Sequence, residues 1–225
     1  MNILSFFYLK YQISDLNGLK ILQEISLSKL KKTIDILIID DEEFPLLDDL
    51  RKHEFNIVYK EDISDLKDVE AYSIILCDIH GVGKFLGSRN EGAYLVHQIK
   101  NKYPSKILIS YTADSTSIGN QKFLIDADKV IPKGTSIEDW ASILEEAVCN
   151  LVDPVRVWKK TEENLFKSDV STRKIAEIEN RYVKAIKNKK YESLSKLFAD
   201  DSNVAKILKE TIPFIIEILM MIKRG

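Results

Sequence analysis

The chain has 225 residues, is 45% hydrophobic and 30% charged, and carries a net charge of −2. Such a chain holds one domain of about 100–150 residues plus an extension, and its balance excludes a disordered or fibrous protein. The charge is uneven: residues 1–150 have 17 Lys and Arg against 24 Asp and Glu, whereas 151–225 have 16 against 11. A positive tail can serve nucleic acid or an acidic partner, but spread over helices it reads first as solvated surface. Cys77 and Cys149 are the only cysteines. They lack metal-like spacing, and Cys77 lies in an apolar run, so a reduced core thiol and a cytoplasmic location are expected. No apolar stretch approaches the roughly 20 residues of a membrane span. The first residues lack a basic region and a small-residue cleavage site, so no signal peptide is expected.

Residues 1–12 show no clear period. From Ser14 to Lys32, Leu16, Leu19, Leu22, Ile25 and Leu30 fall near helical spacing, with Ser14 as an N-cap. A leading helix is expected there, weakened by about 1 kcal/mol at Gly18. An alternation then begins. Ile34–Ile39 reads as a strand, Glu43–His53 as a helix, Phe55–Tyr59 as a strand and Ile63–Val69 as a short helical piece. Ser73–Cys77, Lys106–Tyr111 and Val130–Ile131 are the third, fourth and fifth strands, with helices at Gly92–Tyr103, Ile118–Ala127 and from Ile137 onward. Strands alternating with helices predict an α/β domain with a doubly wound, five-stranded parallel sheet. Residues 153–225 read as helices throughout: Asp153–Lys167, Thr172–Ile186, a short Tyr191–Phe198, and Ser202–Lys223. The last is apolar nearly all round at its end, so it must be buried in a small bundle or against another chain. The expected division is a helical extension at 1–32, an α/β domain at 33–150 and an all-α region at 151–225.

The polar chemistry sits where the apolar strands stop. The run AYSIILCDIH ends on Asp78, and IDILIIDD ends on Asp40 and Asp41. In open α/β sheets ligands gather beyond the carboxyl ends of the strands. Three carboxylates at one edge repel one another unless a hard cation sits among them, and Mg²⁺ suits such oxygens. One carboxylate can then attack a phosphoryl group to give an acyl phosphate. That transfer needs cationic and hydroxyl donors, which Lys133 and Thr112 supply just past the fifth and fourth runs. Gly81–Glu91, long and glycine-rich, follows Asp78 directly and is expected to be functional or mobile. Its GVGK lacks the spacing and hydroxyl of a phosphate loop, which excludes a nucleotide triphosphate site.

Together Asp40-Asp41, Asp78, Thr112-Ala113 and Lys133 resemble the receiver domain of two-component response regulators, over roughly Thr33–Asn150. The resemblance implies a flavodoxin-like fold with Asp78 as phosphoacceptor. It implies Asp41 as a direct Mg²⁺ ligand, Asp40 acting largely through water, and the backbone carbonyl of His80 as a further ligand. Thr112 would bond one phosphoryl oxygen and Lys133 another, and Asp126-Ala127-Asp128 resembles the turn before the family's fifth strand. Gly92 matches the glycine that opens the family's next helix. Three departures stand out: Gly134 follows Lys133 where proline is usual, Val130 replaces the usual aromatic switch, and the loop after Asp78 is about six residues longer.

The implied function is a phosphoacceptor relaying a signal from a histidine kinase or phosphotransfer protein, and not an enzyme beyond that chemistry. Residues 151–225 would contact a partner or a second copy. One alternative is a DNA-binding response regulator. LSKLFADDSNVAKIL (Leu194–Leu208) faintly resembles a helix-turn-helix after the basic stretch Lys184–Lys190, but Asp200 and Asp201 would face phosphates. The other is a pseudo-receiver scaffold. A hydrolase is disfavoured, because Ile79 and His80 stand where a second catalytic acid would follow Asp78.

Overall fold

The computed structural model describes residues 10–18, 25–86, 91–113, 126–200 and 202–224. The expected helix at Ile118–Ala127 falls almost wholly outside these, as do Leu19 and Leu22 of the leading helix. The chain forms two compact units, Ser26–Cys149 and a second composed of Met1–Ile25 with Asn150–Gly225.

The first unit alternates strands and helices: α1 (Leu27–Thr33), β1 (Asp35–Ile39), α2 (Leu47–Lys52), β2 (Asn56–Lys60), β3 (Ile74–Asp78), α3 (Glu91–Lys102), β4 (Ile107–Thr112), β5 (Lys129–Pro132) and α4 (Ile137–Leu151). Short 3₁₀ turns at Leu66–Val69 and Lys84–Leu86 complete it. The five strands are all parallel, in the order β2-β1-β3-β4-β5. The all-buried run Ile74–Asp78 is the third strand, in the centre of the sheet, where both faces are covered.

Successive side chains on a strand point to opposite faces. Leu37, Ile39, Ile75, Cys77 and Leu108 therefore share one face, packed with Leu95, Val96 and Ile99 of α3. The other parity belongs to Ile36, Ile38, Asp40, Ile74, Leu76, Asp78, Ile109 and Tyr111, buried without exception. Tyr111 meets Phe44 and Trp140 there, edge to face at centroid distances of 5.5 and 5.6 Å. Such contacts add about 0.5–1.5 kcal/mol each beyond simple burial.

The second unit is helical: α5 (Pro154–Lys167), α6 (Thr172–Lys187), a 3₁₀ helix at Tyr191–Phe198, α7 (Asn203–Thr211) and α8 (Pro213–Arg224). Asp153 caps α5 by accepting the Val155 N–H at 2.8 Å, with Pro154 in the first turn where its missing N–H costs nothing. Trp158 stacks on Tyr182 at 5.3 Å, and the Tyr182 hydroxyl donates to the Pro154 carbonyl.

Several expectations change. The leading helix is not continuous: a 3₁₀ turn at Ile13–Leu16, capped by Gln12 rather than Ser14, ends before Gly18 at φ 78°, outside helical space. Its Leu16 joins the core of the second unit, where Ile13 N–H donates to Glu179 and Asn180 donates to the Tyr11 carbonyl. α1, capped by Ser26, packs in the first unit. Ser202–Lys223 is two helices, because Pro213 has no N–H to continue the ladder. The apolar α8 finds its cover within its own unit: Ile215, Ile216 and Leu219 lie in the same core as Trp158 and Tyr182. Leu194–Phe198 lies in the 3₁₀ helix, not the first α-helix of a helix-turn-helix. Among the described residues no helix is long and apolar enough to cross a membrane.

Candidate functional site

The order β2-β1-β3-β4-β5 reverses direction between β1 and β3, and a doubly wound sheet opens its ligand crevice at that switch point. Asp40 and Asp41 follow β1 and Asp78 ends β3, so the crevice is flanked by all three carboxylates. Each offers an oxygen within 4.8 Å of the others. Asp40 and Asp78 are buried, whereas Asp41 is open to solvent.

Lys133, directly after β5, reaches across the strand ends. Its Nζ lies 2.6 Å from Asp78 Oδ2 and 3.5 Å from Asp40 Oδ2. Its backbone N–H donates to the Thr112 carbonyl at 2.8 Å, which fixes where the side chain starts. Burial pushes the Asp78 carboxyl up, the Lys133 hydrogen bond pulls it down, and the Asp40 charge pushes it up again, leaving it above the usual carboxylate range. Burial depresses the Lys133 ammonium, but its bond to Asp78 and the two carboxylate charges outweigh that and raise it.

The remaining expected residues are placed as follows. Asp78 Oδ1 accepts the Ile79 N–H at 2.7 Å and faces the His80 N–H at 3.4 Å. Thr112 is the buried last residue of β4, one position beyond Tyr111, which stands in register with Asp78. His80 is exposed, and its imidazole is 3.9 Å from Glu91. The next N–H, of Gly81, donates to the same Glu91 carboxylate at 2.8 Å, so the trans peptide directs the His80 carbonyl the opposite way. A Cβ on Gly81 would lie 2.0 Å from Asp41 Oδ1, which puts this peptide against the Asp41 carboxylate. Asp128 receives Lys100 and the Leu108 N–H, tying the turn before β5 to β4. Val130 packs on Ile79 and Ala93 in the position of the usual aromatic.

Sequence reasoning passed over two residues. Tyr111 is fully buried and donates its hydroxyl to Asp40 Oδ2 at 2.9 Å. Burial, then the Asp40 charge, drives its phenol far above the usual range, so it stays a donor. Its register on β4 puts it on the Asp40–Asp78 face, a period-2 signal carried by the sequence of the fourth strand. Lys84, in the long loop, has its Nζ 3.1 Å from Asp41 Oδ2. Tyr111→Phe keeps the ring contacts and deletes one donor to a buried carboxylate. It is expected to cost about 1–3 kcal/mol, read as a lower melting temperature of the first unit.

No protein-family model and no curated protein matches the sequence. Solved structures do. A CheY-like receiver domain from Methanospirillum hungatei is 22% identical, with a TM-score of 0.42, over 51% of this chain and 93% of its own. Response regulator TrrA of Thermotoga maritima, solved with Mg²⁺ and a beryllium fluoride, is 19% identical with a TM-score of 0.42, over 51% and 98%. The activated DrrB receiver domain is likewise 19% identical at a TM-score of 0.42, over 51% and 97%. The first unit has a doubly wound, all-parallel five-stranded sheet. The strand order is the flavodoxin-like one, and the second unit is helical over its described residues.

The first unit brings Asp40, Asp41, Asp78 and Lys133 together, and this donor set fits a hard divalent cation. The two buried carboxylates share a single lysine, and the third, Asp41, is open to solvent, where a hydrated ion can reach the cluster. An acidic cluster with an adjoining lysine also fits a phosphoacceptor site.

Proposed function

We propose that the first unit is a receiver domain, a Mg²⁺-dependent phosphoacceptor of a two-component pathway in the cytoplasm, modified on Asp78 by a histidine kinase, a phosphotransfer protein or a small acyl phosphate. The observation that carries this is the convergence of three strand-end carboxylates within 4.8 Å, with Lys133 2.6 Å from Asp78. Asp40, Asp41, Asp78 and the His80 carbonyl would hold the ion, which supplies neutralisation of the phosphoryl charge. The chain's own groups do the rest. Backbone N–H groups anchor Asp78 Oδ1, which leaves Oδ2 as the nucleophile. As the Oδ2–P bond forms and the bond from phosphorus to the donor atom breaks, its electron pair leaves on the donor. Lys133 follows the negative charge from Oδ2 to a phosphoryl oxygen, and the Thr112 hydroxyl binds another. No further catalysis belongs to this reading. The signal would pass to a partner protein or a second copy through residues 151–225.

Acetyl phosphate with Mg²⁺ should add one acid-labile phosphoryl group to the wild type, seen in the intact mass. None should add to Asp78→Asn, and none to the wild type in EDTA. A wild type that stays unmodified would overturn the reading and leave a fixed scaffold.

A further inference from the structure

The loop after β3 is built to deliver an ammonium group to the crevice. Gly81 and Gly83 both sit at positive φ, 77° and 76°, where other residues are strained. The absence of a side chain on Gly81 lets the backbone lie against Asp41, where a Cβ would meet all three carboxylate atoms at 2.0–2.2 Å. Asp62, from the connection after β2, clamps the next residues: its Oδ1 accepts the Gly83 N–H at 2.7 Å and its Oδ2 the Lys84 N–H at 3.2 Å. Glu91 clamps the other side through the Gly81 N–H at 2.8 Å. From this clamped backbone Lys84 extends its Nζ to 3.1 Å from Asp41 Oδ2.

We infer that Lys84 is an internal counter-ion that contends with a divalent cation for Asp41 and thereby sets the cation affinity of the crevice. This rests on the reading of the three carboxylates as a Mg²⁺ site. A coordinating oxygen lies about 2.1 Å from Mg²⁺, so an ammonium 3.1 Å from Asp41 Oδ2 repels an ion arriving at that carboxylate, and the two contend for it. The charge count agrees. Three carboxylates with Lys133 and Lys84 leave one negative charge, whereas replacing the Lys84 ammonium by Mg²⁺ brings the cluster to neutrality. As an exposed pair, with the lysine side chain 58% accessible, Lys84–Asp41 contributes little to stability. Its consequence lies in competition, and the clamped backbone keeps the competitor close at all times.

The test is calorimetric titration of the full chain with MgCl₂, comparing the wild type with Lys84→Met, which keeps the aliphatic stem and removes the charge. At low ionic strength the variant should bind Mg²⁺ about 3- to 10-fold more tightly, and added KCl should close most of that gap by screening. Equal or weaker binding by the variant overturns the role of Lys84 while leaving the metal reading intact. A gap that salt leaves unchanged also overturns it, because competition between charges is screened. Failure of both proteins to bind Mg²⁺ overturns the inference and the metal reading together.

Discussion

Gly92→Ala is expected to unfold the first unit or to cost more than about 3 kcal/mol of its stability, the range of overpacking joined to backbone displacement. Gly92 is the second residue of α3, and its N–H donates to the Ile79 carbonyl at 3.1 Å. A methyl group there would lie 1.9 Å from the Asp78 carbonyl oxygen and 2.9 Å from Val82 Cγ2. The Val82 contact can relax, but the Asp78 carbonyl cannot. It belongs to the last residue of a central strand, whose next N–H is bonded to the Tyr111 carbonyl at 3.2 Å. Relief therefore requires α3 to move off the sheet or the end of β3 to shift, and either moves Asp78. A melt followed by circular dichroism would read the loss. Retention of the wild-type melting temperature would show that helix and strand are not held as closely as described.

Lys133→Met should cost about 3–5 kcal/mol near neutral pH, the scale for stripping one partner from a buried ion pair. Asp40 and Asp78 are each 2% exposed, and Lys133 is a cation bonded directly to Asp78 and facing Asp40. With the lysine gone, Tyr111 and the backbone N–H groups of Glu42 and Ile79 still donate to the two carboxylates, but the ammonium bonded to Asp78 and facing Asp40 is lost. The pH dependence has a definite sign. The folded-state Asp78 carboxyl already lies above its ordinary value, through burial and Asp40, with Lys133 opposing. A group raised in this way binds its proton more tightly folded than unfolded. The folded state is therefore favoured at low pH and loses that advantage as pH climbs from the unfolded value through the folded one. Deleting Lys133 removes the opposing influence, so the variant should lose more stability over that interval than the wild type. Saturating Mg²⁺ should restore more stability to the variant than to the wild type. Thermal melts across pH, with and without MgCl₂, check both statements, and equal melting temperatures for the two proteins at neutral pH would refute the first.

Much of the first unit was legible from single-residue pattern. An apolar run of five residues ending in a carboxylate states both a buried strand and a group placed at its end, because side-chain direction alternates along a strand. Asp40, Asp41 and Asp78 could thus be placed at strand ends from local pattern alone, and Lys133 after the fifth run likewise. The helical unit was less legible. Leu16 falls on a helical period with Leu19 and Leu22, yet Gly18 at positive φ ends that segment, and Leu16 serves a core formed by residues some 150 positions later. Pro213 announces its break in the sequence, but the apolar residues around it mask it when only their period is read.

Local sequence determined the strands, the helix caps at Ser26, Asp153, Ser171 and Ser202, and the chemistry available at each strand end, because these depend on backbone sterics and on near neighbours. Tertiary structure alone decided which charges meet. The Tyr111 hydroxyl on Asp40, the Lys84 ammonium on Asp41 and the Asp62 clamp on the loop join residues 71, 43 and about 20 positions apart. Contacts of that kind arise only when strand order and loop closure bring distant segments together. Coulomb and hydrogen-bond energies depend on distance in space, and position along the chain does not encode it.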